Sequence, residues 1–302
     1  MIKSFKIKKE EIDLRLDKWL KKKFSTLNQS FIEKNIRKKN ILVNEVKQNS
    51  NYRISISDQI KILNFNEKSY KNFEYVKKQK LIPKKLKEFF INSIIFENEN
   101  FIILDKWSGI ATQGGSGINI SIDNIIKNIS SSYNLVHRLD KETSGLLIIA
   151  KNIEYTKIFG QMFKKHEIEK KYIAICEGRP QILESSLEFN IQDDNKKDKI
   201  NLTKTYYKVL NYKNNISQIL FAPKTGKKHQ LRIASKKLSC PIIGDQIYNK
   251  QKVYKNEKLK LNACFLKFII KNHTYEYRST IPKDFNNFLK KHKLKITNLK
   301  KI

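Results

Sequence analysis

Residues 136–151, VHRLDKETSGLLIIAK, constrain the fold of this chain more than any other stretch. A charged turn runs directly into the apolar run 146–150, which contains no polar residue. A strand that is apolar on both faces must be covered on both faces by the rest of a domain. Thr143, Ser144 and Gly145 indicate a tight turn that feeds this strand. The stretch therefore predicts a buried strand with a charged turn at its start.

Asp140 is the candidate reactive group in this turn. Arg138 and Lys141 place positive charge beside it, and a carboxylate next to fixed cations stays ionised. An ionised carboxylate suits a nucleophile or a base better than an acid. On spacing alone, the simpler interpretation is an ordinary turn with a surface ion pair between Arg138 and Asp140.

The whole string resembles the signature HRLDxxTSGLLxxAK of the RluA-type pseudouridine synthases. The resemblance implies that Asp140 is the catalytic aspartate, required for breaking the N-glycosidic bond of a uridine and rejoining the base through carbon. It also implies that Arg138 fills or props the space left when the target uridine flips out of its stack. The sequence leaves open whether Asp140 attacks the anomeric carbon or abstracts the neighbouring ribose proton to give a glycal.

A tyrosine and a glycine-rich loop extend the resemblance. Residues 170–174, KKYIA, match the KxYxA segment of the family, which implies that Tyr172 stacks on the target uracil. From the residues alone, a tyrosine that starts a strand is usually half-buried core with its hydroxyl at the surface. The loop 112–117, TQGGSG, lacks the GK[ST] ending of a phosphate loop. It resembles the form found in the RluC branch of the family.

An arginine motif completes the resemblance. Residues 225–232, TGKKHQLR, and 241–248, PIIGDQIY, match the family segments TGRTHQLR and PIxGDxxY. They imply a salt bridge from Arg232 to Asp140 that holds the carboxylate ionised and aimed. The sequence departs from the family at a few positions, which concern the positioning of RNA more than the chemistry: Lys227, Lys228, Ala234 and Asn262.

The charge of the chain predicts a polyanionic partner. It has 302 residues, with 62 basic and 29 acidic side chains and a formal net charge of +33. Such a charge repels itself in a compact fold and fits nucleic acid as a partner. The alternative is a lysine-rich composition with a solvated cationic surface. Only seven basic residues are arginines, and Arg15, Arg138 and Arg232 lie in motifs, where a planar guanidinium is hard to replace.

The first 63 residues predict a small α+β RNA-binding domain. Helices are expected from Arg15 to Phe24 and over 28–39, the second ending at Asn40 in a left-handed conformation, and strands over 41–43 and 53–62. Residues RLDKWL, ILVN and SDQI resemble the RNA-binding module of ribosomal small-subunit protein four. The alternative is a basic helical cap on the larger domain. Candidate RNA-binding residues are Arg15, Lys18, Lys22, Arg37, Lys38 and Lys39, with Lys227 and Lys228 in the larger domain.

The fold class is therefore predicted as α+β, with the small domain followed by a strand-rich mixed α/β pseudouridine synthase domain. The predicted bounds are 1–63 for the first domain, 64–90 for a linker, 91–290 for the catalytic domain and 291–302 for a basic tail. Within the catalytic domain, a hairpin is expected at 93–104 and a helix at 155–163. Further strands are expected at 170–178, 187–191, 206–209 and 218–221, and a helix opening at 224–233.

The remaining composition limits compartment and cofactors. Three widely separated cysteines indicate neither a disulfide framework nor a zinc site, and no metal or organic cofactor is expected. No apolar run has signal-peptide or membrane-spanning length, so we expect a cytoplasmic protein, and by default a monomer. The expected substrate is large-subunit (23S) ribosomal RNA. The alternatives are a transfer RNA, or a non-catalytic role as an RNA-binding ribosome assembly protein.

Overall fold

The computed structural model describes residues 1–24, 26–71, 81–115, 117–193, 196–249, 253–254 and 256–294, with the backbone alone at 193 and 196–199. The chain divides into two compact units, Met1–Gln79 and Lys80–Ile302. This division falls within the predicted linker, and the predicted domain bounds stay predictions. Both units combine helices with strands, and the second is rich in strands, which confirms the predicted fold class.

The first unit packs two helices on a three-stranded antiparallel sheet. Helices α1 (Leu16–Lys23) and α2 (Gln29–Arg37) form where the sequence predicts them. The strands pair in the order β1-β3-β2, with β1 at Lys3–Lys6, β2 at Ile41–Val43 and β3 at Gln59–Ile62. The apolar core draws on both helices and on the start of the predicted linker: Leu16, Trp19, Leu20, Ile32, Ile36, Phe65 and Tyr70.

Three details of this unit differ from the sequence-based expectation. The predicted strand 53–62 is a strand only over its last four residues, because Asp58 accepts a hydrogen bond of 2.7 Å from the backbone N–H of Ser55 and closes a turn. The left-handed residue after α2 is Lys39, with φ of +60°, and not Asn40. Strand β1 is not predicted, since three of its four side chains are exposed and it has no apolar alternation.

The second unit is built on a ten-stranded sheet. Its main path runs β4-β5-β7-β12-β8-β11-β10-β9, with β6 paired to β7 and β13 to β12. The strands are β4 (Ile94–Glu97), β5 (Phe101–Lys106), β6 (Asn134–Leu135), β7 (Ser144–Ala150), β8 (Glu169–Glu177), β9 (Glu184–Asp193), β10 (Lys196–Lys213), β11 (Ile216–Pro223), β12 (Leu261–Ile270) and β13 (His273–Arg278). The helices are α3 (Lys84–Asn92), α4 (Ile122–Ile129), α5 (Ile153–Lys165), α6 (Gln230–Lys237) and α7 (Lys283–Lys291). Within the described residues, every helix falls short of what a bilayer-spanning segment requires.

Strand β7 lies inside this sheet and is buried along its whole length. Leu147 and Ile149 face a core that includes α4, whereas Leu146 and Ile148 face a core that includes α5. The predicted burial on both faces is thus confirmed. Gly145, at φ +108°, lets β7 lie directly beside β12, because a Cβ there would stand 2.3 Å from the carbonyl oxygen of Ala263. The charged turn is therefore fixed against two neighbouring strands.

Most other sequence-based elements of this unit are confirmed. The hairpin β4–β5, helix α5 and strands β8 to β11 form where expected; β9, β10 and β11 are longer than predicted, and β8 is as long as predicted. Helix α4 and strands β12 and β13 are not predicted. Helix α3 lies in the predicted linker, with Phe90 buried in the core, and in the predicted tail Leu294 is buried. Residues 295–302 of that tail lie outside the described residues.

Candidate active site

A cavity of about 840 Å³ opens where the charged turn, β8 and the start of α6 meet. It brings together side chains from distant parts of the sequence, and two of them, Arg138 and Arg232, are 94 residues apart. All four residues predicted at the reactive centre line it, as do two of the predicted RNA-binding lysines and a histidine that sequence reasoning did not select: Arg138, Asp140, Tyr172, Arg232, Lys227, Lys228 and His229.

Two side chains hold the segment that leads into Asp140: the buried Thr112 and the half-buried His137. The hydroxyl of Thr112 donates to the carbonyl of Leu139 at 2.7 Å and accepts from its N–H at 3.1 Å. The imidazole Nε2 of His137 accepts from the N–H of Ile148 on β7 at 2.8 Å. Burial lowers the pKa of His137 to about 3, so this ring stays a neutral acceptor. The segment that leads into Asp140 is therefore positioned before any substrate binds.

Arg232 contacts Asp140 but binds Asp245 more closely. Its Nη1 lies 3.6 Å from Asp140 Oδ2, the pairing that the family resemblance implies. Its Nε and Nη2 each donate at 2.7 Å to the carboxylate of Asp245, a bidentate pair. Burial opposes the charge of Arg232, yet the bonds and charge of Asp245 and then Asp140 raise its pKa. Asp245 thus fixes the guanidinium plane, and the remaining nitrogen faces Asp140.

Asp245 is itself fully enclosed, with a side-chain exposure of 0%. Besides Arg232, its carboxylate accepts the backbone N–H groups of Ile247 and Tyr248, each at 2.9 Å. Burial favours its neutral form, but these bonds prevail and lower the pKa of Asp245. Sequence reasoning quoted Asp245 within a motif and gave it no role. Only the fold shows that it anchors Arg232.

Tyr172 stands on β8 and lines the same cavity. Its ring is partly buried and packs against two apolar clusters, one around α4 and one around Ala174 and Cys176 of β8. Burial, and then the charge of Asp140, raise the pKa of Tyr172, so its hydroxyl is neutral. A flat apolar ring that borders a cavity beside a carboxylate can stack on a planar base.

Arg138 is exposed at the cavity and contributes no ion pair to Asp140 in the described part of the chain. The alternative of a surface pair between these two residues is therefore not what the structure shows. Asp140, with a side-chain exposure of 23%, pairs instead with Arg232 and lies 3.8 Å from His229. Arg138 is placed to contact a ligand that enters the cavity.

Lys106, at the end of β5, is a buried cation that sequence reasoning did not select. Its ammonium donates to the carbonyls of Trp107, Ile110 and Lys141 at 3.0–3.3 Å. It therefore ties the loop after β5 to the turn that carries Asp140. Burial lowers the pKa of Lys106 to about 7, while Glu142 and Asp140 act in the opposite direction.

This pKa predicts a pH-dependent stability. An unfolded lysine titrates near 10.4, so from pH 7 upward the unfolded chain holds a proton at Lys106 that the folded chain releases. The free energy of unfolding should then rise with pH, by up to about 1.4 kcal/mol per unit. We expect Lys106→Met to lack this rise in urea unfolding between about pH 7 and 9. Lys258→Met, an exposed lysine, is the control, and equal slopes for wild type and Lys106→Met would contradict the prediction.

The predicted RNA-binding residues of the first unit are exposed, with one qualification. Lys18 and Lys22 lie on the outer face of α1. Arg37 is the last residue of α2, and Lys38 and Lys39 follow it. Arg15 is also exposed, but its guanidinium binds Asp17 through two bonds of 3.1 and 2.7 Å. Phosphate binding by this set stays a prediction.

Comparisons with known proteins identify the family. The sequence profile of the RNA pseudouridylate synthase family matches residues 100–237. Ribosomal large subunit pseudouridine synthase C of Rickettsia prowazekii is 36% identical, over 90% of this chain and 95% of that protein. The protein of the same name from Buchnera aphidicola subsp. Schizaphis graminum is 29% identical, over 86% of this chain and 85% of that protein.

A solved structure supports the fold of most of the chain. Human RNA pseudouridylate synthase domain containing 4 superposes with a TM-score of 0.64 and 23% sequence identity, over 71% of this chain and 98% of that one. At this identity the likeness speaks for the fold alone. The sequence relationship reaches further, because the Rickettsia relative aligns along nine-tenths of the chain. The chain therefore belongs to the RluA family of RNA pseudouridine synthases, which are isomerases.

Proposed function

We propose that this chain converts specific uridines of large-subunit (23S) ribosomal RNA to pseudouridine, as an enzyme of the RluC branch. The observation that carries the proposal is Asp140 facing Arg232 at 3.6 Å in a cavity that Tyr172 also lines. The substrate is supported by the names of the relatives, which are large-subunit pseudouridine synthases, and by the net charge of +33. We further propose that the protein acts as a monomer in the cytoplasm.

The reaction begins with extrusion of the target nucleotide. A uridine inside a helix cannot reach a carboxylate in a cavity, so it must flip out of its stack. Arg138, exposed and without an ion-pair partner in the described residues, fills or props the vacated space. Tyr172 offers its ring to the uracil, and the neutral hydroxyl keeps charge away from the base.

Asp140 then acts on the ribose. Its carboxylate either attacks the anomeric carbon or takes the neighbouring ribose proton, and both routes need an ionised group in a water-poor cavity. Arg232 provides the opposing charge, and its orientation comes from the bidentate bond to Asp245. After the glycosidic bond breaks, the base turns and bonds to the ribose through C5.

The first unit is proposed to grip the RNA away from the reacting uridine, in the manner of the module of ribosomal small-subunit protein four. Its exposed cations Lys18, Lys22, Arg37, Lys38 and Lys39 support this role. Contacts to phosphate position an RNA without reading its sequence. The choice of uridine would then depend on the cavity and on the shape of the RNA.

Binding dominated by phosphate contacts predicts a steep salt dependence. Each contact adds about 0.7–0.9 to the slope of log affinity against log salt. We expect Lys227→Gln with Lys228→Gln to reduce that slope by about 1–2, measured by filter binding to a ribosomal RNA fragment. Lys84→Gln with Lys85→Gln removes two exposed lysines of α3 outside the cavity and should leave the slope unchanged. If the affinity of the wild type for RNA did not change with salt concentration, the proposal that phosphate contacts dominate binding would be contradicted.

Mapping of pseudouridine across total RNA tests the function directly. Cells with and without this gene are compared, and the gene is restored as wild type or as Asp140→Asn. Sites lost from large-subunit ribosomal RNA, regained with wild type and not with the variant, would support the proposal. Sites lost from transfer RNA would favour the transfer-RNA alternative. No lost site would favour an RNA-binding assembly protein.

A further inference from the structure

His229 is a titratable group inside the cavity that the mechanism above does not use. Its Nε2 lies 3.8 Å from Asp140 Oδ2, and its side chain is 18% exposed. Its Nδ1 lies 3.1 Å from the hydroxyl of Tyr248. In the tautomer in which Nδ1 carries the hydrogen and donates it to this hydroxyl, Nε2 has a free lone pair and lies beside the carboxylate. In this tautomer the imidazole offers a basic nitrogen beside Asp140.

The backbone at His229 is held in an unfavourable conformation for this placement. The residue lies immediately before α6 and has φ of +55°. This left-handed conformation costs residues other than glycine about 1 kcal/mol or more. Gln230 holds it there, because its side-chain oxygen accepts from the N–H of Lys227 and from the hydroxyl of Thr225, each at 2.9 Å. Its side-chain amide donates to Thr205 on β10. The loop is therefore held by these hydrogen bonds, and its backbone conformation places the ring of His229 beside Asp140.

The reaction must also move a proton on the uracil base after the new bond has formed. When C5 has bonded to the anomeric carbon, C5 carries both the new bond and its original hydrogen, and N1 carries no proton. The C5–H bond must break, its electrons reform the C5–C6 double bond, and those of the C6–N1 double bond move to N1. One proton thus leaves C5 and one is taken up by N1.

We propose that His229 is the catalytic base that removes the C5 proton, which deepens the proposed function at the same site. Nε2 takes the proton from C5, and the imidazolium or a water returns one to N1, so that no co-reactant is consumed. The imidazolium forms 3.8 Å from Asp140, whose charge stabilises it. Asp245, on the loop after α6, adds to this stabilisation at longer range.

The charges around the ring keep it ready to accept a proton. Burial lowers the pKa of His229, and Arg232 on α6 and Lys228 beside it lower it further, against Asp140 and Asp245. Tyr248 is neutral, because burial raises its pKa. His229 is therefore an unprotonated imidazole near neutral pH, as a general base must be.

An isotope experiment tests the role. Large-subunit ribosomal RNA is transcribed with uridine bearing hydrogen or deuterium at C5, and single-turnover rates are measured for wild type, His229→Gln and Lys228→Gln. We expect His229→Gln to be slower by about 10²- to 10⁴-fold, with unchanged RNA affinity and a hydrogen-to-deuterium rate ratio larger than that of wild type. Lys228→Gln, a neighbouring cavity residue, should weaken RNA binding and keep the wild-type ratio.

The outcomes separate this proposal from the proposed function. A wild type that modifies none of this RNA would contradict the function, and the role of His229 with it. An active wild type with an equally active His229→Gln, or with a slower variant whose isotope ratio does not rise, would overturn the base alone. If His229→Gln does not bind RNA, the same rates are measured for His229→Gly, because glycine adopts the positive φ of this position without strain. Added imidazole should restore its rate, and no restoration would overturn the proposal.

Discussion

Asp140→Asn is expected to lower the rate of pseudouridine formation by at least about 10⁴-fold, while its affinity for RNA stays equal to that of the wild type. The amide has nearly the shape of the carboxylate but is neither a nucleophile nor a base. Because Thr112 holds the backbone of Leu139 and the side chain of His137 is bonded to β7, the turn should keep its geometry. The rate is measured by single-turnover conversion on a ribosomal RNA transcript, and affinity by filter binding.

Glu142→Gln is the matched control for this variant. Glu142 is a carboxylate two residues away in the same turn, 48% exposed and 3.9 Å from Lys141. It does not line the cavity, so its neutralisation should leave the rate unchanged. A loss of equal size in both variants would mean that the charge of the turn matters and that Asp140 has no special part. Retained activity of Asp140→Asn would contradict the catalytic assignment.

Arg232→Met is expected to lower the free energy of unfolding of the second unit by about 3–5 kcal/mol. The change leaves the fully buried carboxylate of Asp245 without its cation, and an unpaired buried charge is costly. Typical domains are stable by about 5–15 kcal/mol, so the loss is a large fraction of the total. Denaturant unfolding of the full chain measures it.

Two further variants give this prediction its contrast. Adding Asp245→Asn to Arg232→Met should recover much of the lost stability, since the amide carries no charge and its oxygen can still accept the N–H groups of Ile247 and Tyr248. Lys204→Met removes an exposed pair with Glu188 in the same unit and should cost no more than about 1 kcal/mol. A loss for Arg232→Met no larger than for Lys204→Met would contradict a buried pair.

Both predictions concern Asp140 and Arg232, yet the partner that positions Arg232 is invisible in the sequence. Arg232 and Asp245 are 13 residues apart, with most of α6 between them, and no local pattern states that their side chains meet. His229 stands inside a matched motif, but its distance to Asp140 depends on how α6 packs beside the turn. Its positive φ has no clear sequence signal, because only a few per cent of residues other than glycine adopt such a φ.

Local pattern also explains which elements of the fold are predictable. Helices α1, α2 and α5 carry apolar residues at helical spacing, and β7 is an apolar run of strand length, so each is evident from its own residues. The predicted strand 53–62 is shorter because the side chain of Asp58 bonds locally to the backbone. Lys106 donates to the backbone carbonyl of Lys141, which is 35 residues away. Every residue has such a carbonyl, so the sequence does not indicate this contact.

The sequence by itself determined the buried strand β7 with its charged turn, the α+β fold class, the strong positive charge, and the residues Asp140, Arg138, Tyr172 and Arg232 as a candidate set. The strand, the fold class, the charge and Asp140 as a candidate follow from residue type and spacing within single segments, whereas the roles of Arg138, Tyr172 and Arg232 come from the resemblance of their segments to the RluA-type synthases. Only the tertiary structure decided that Arg232 is anchored by Asp245, that His229 stands beside Asp140, and that Lys106 ties the loop after β5 to the reactive turn. Such contacts join distant segments, and their geometry is set by packing that no single segment encodes.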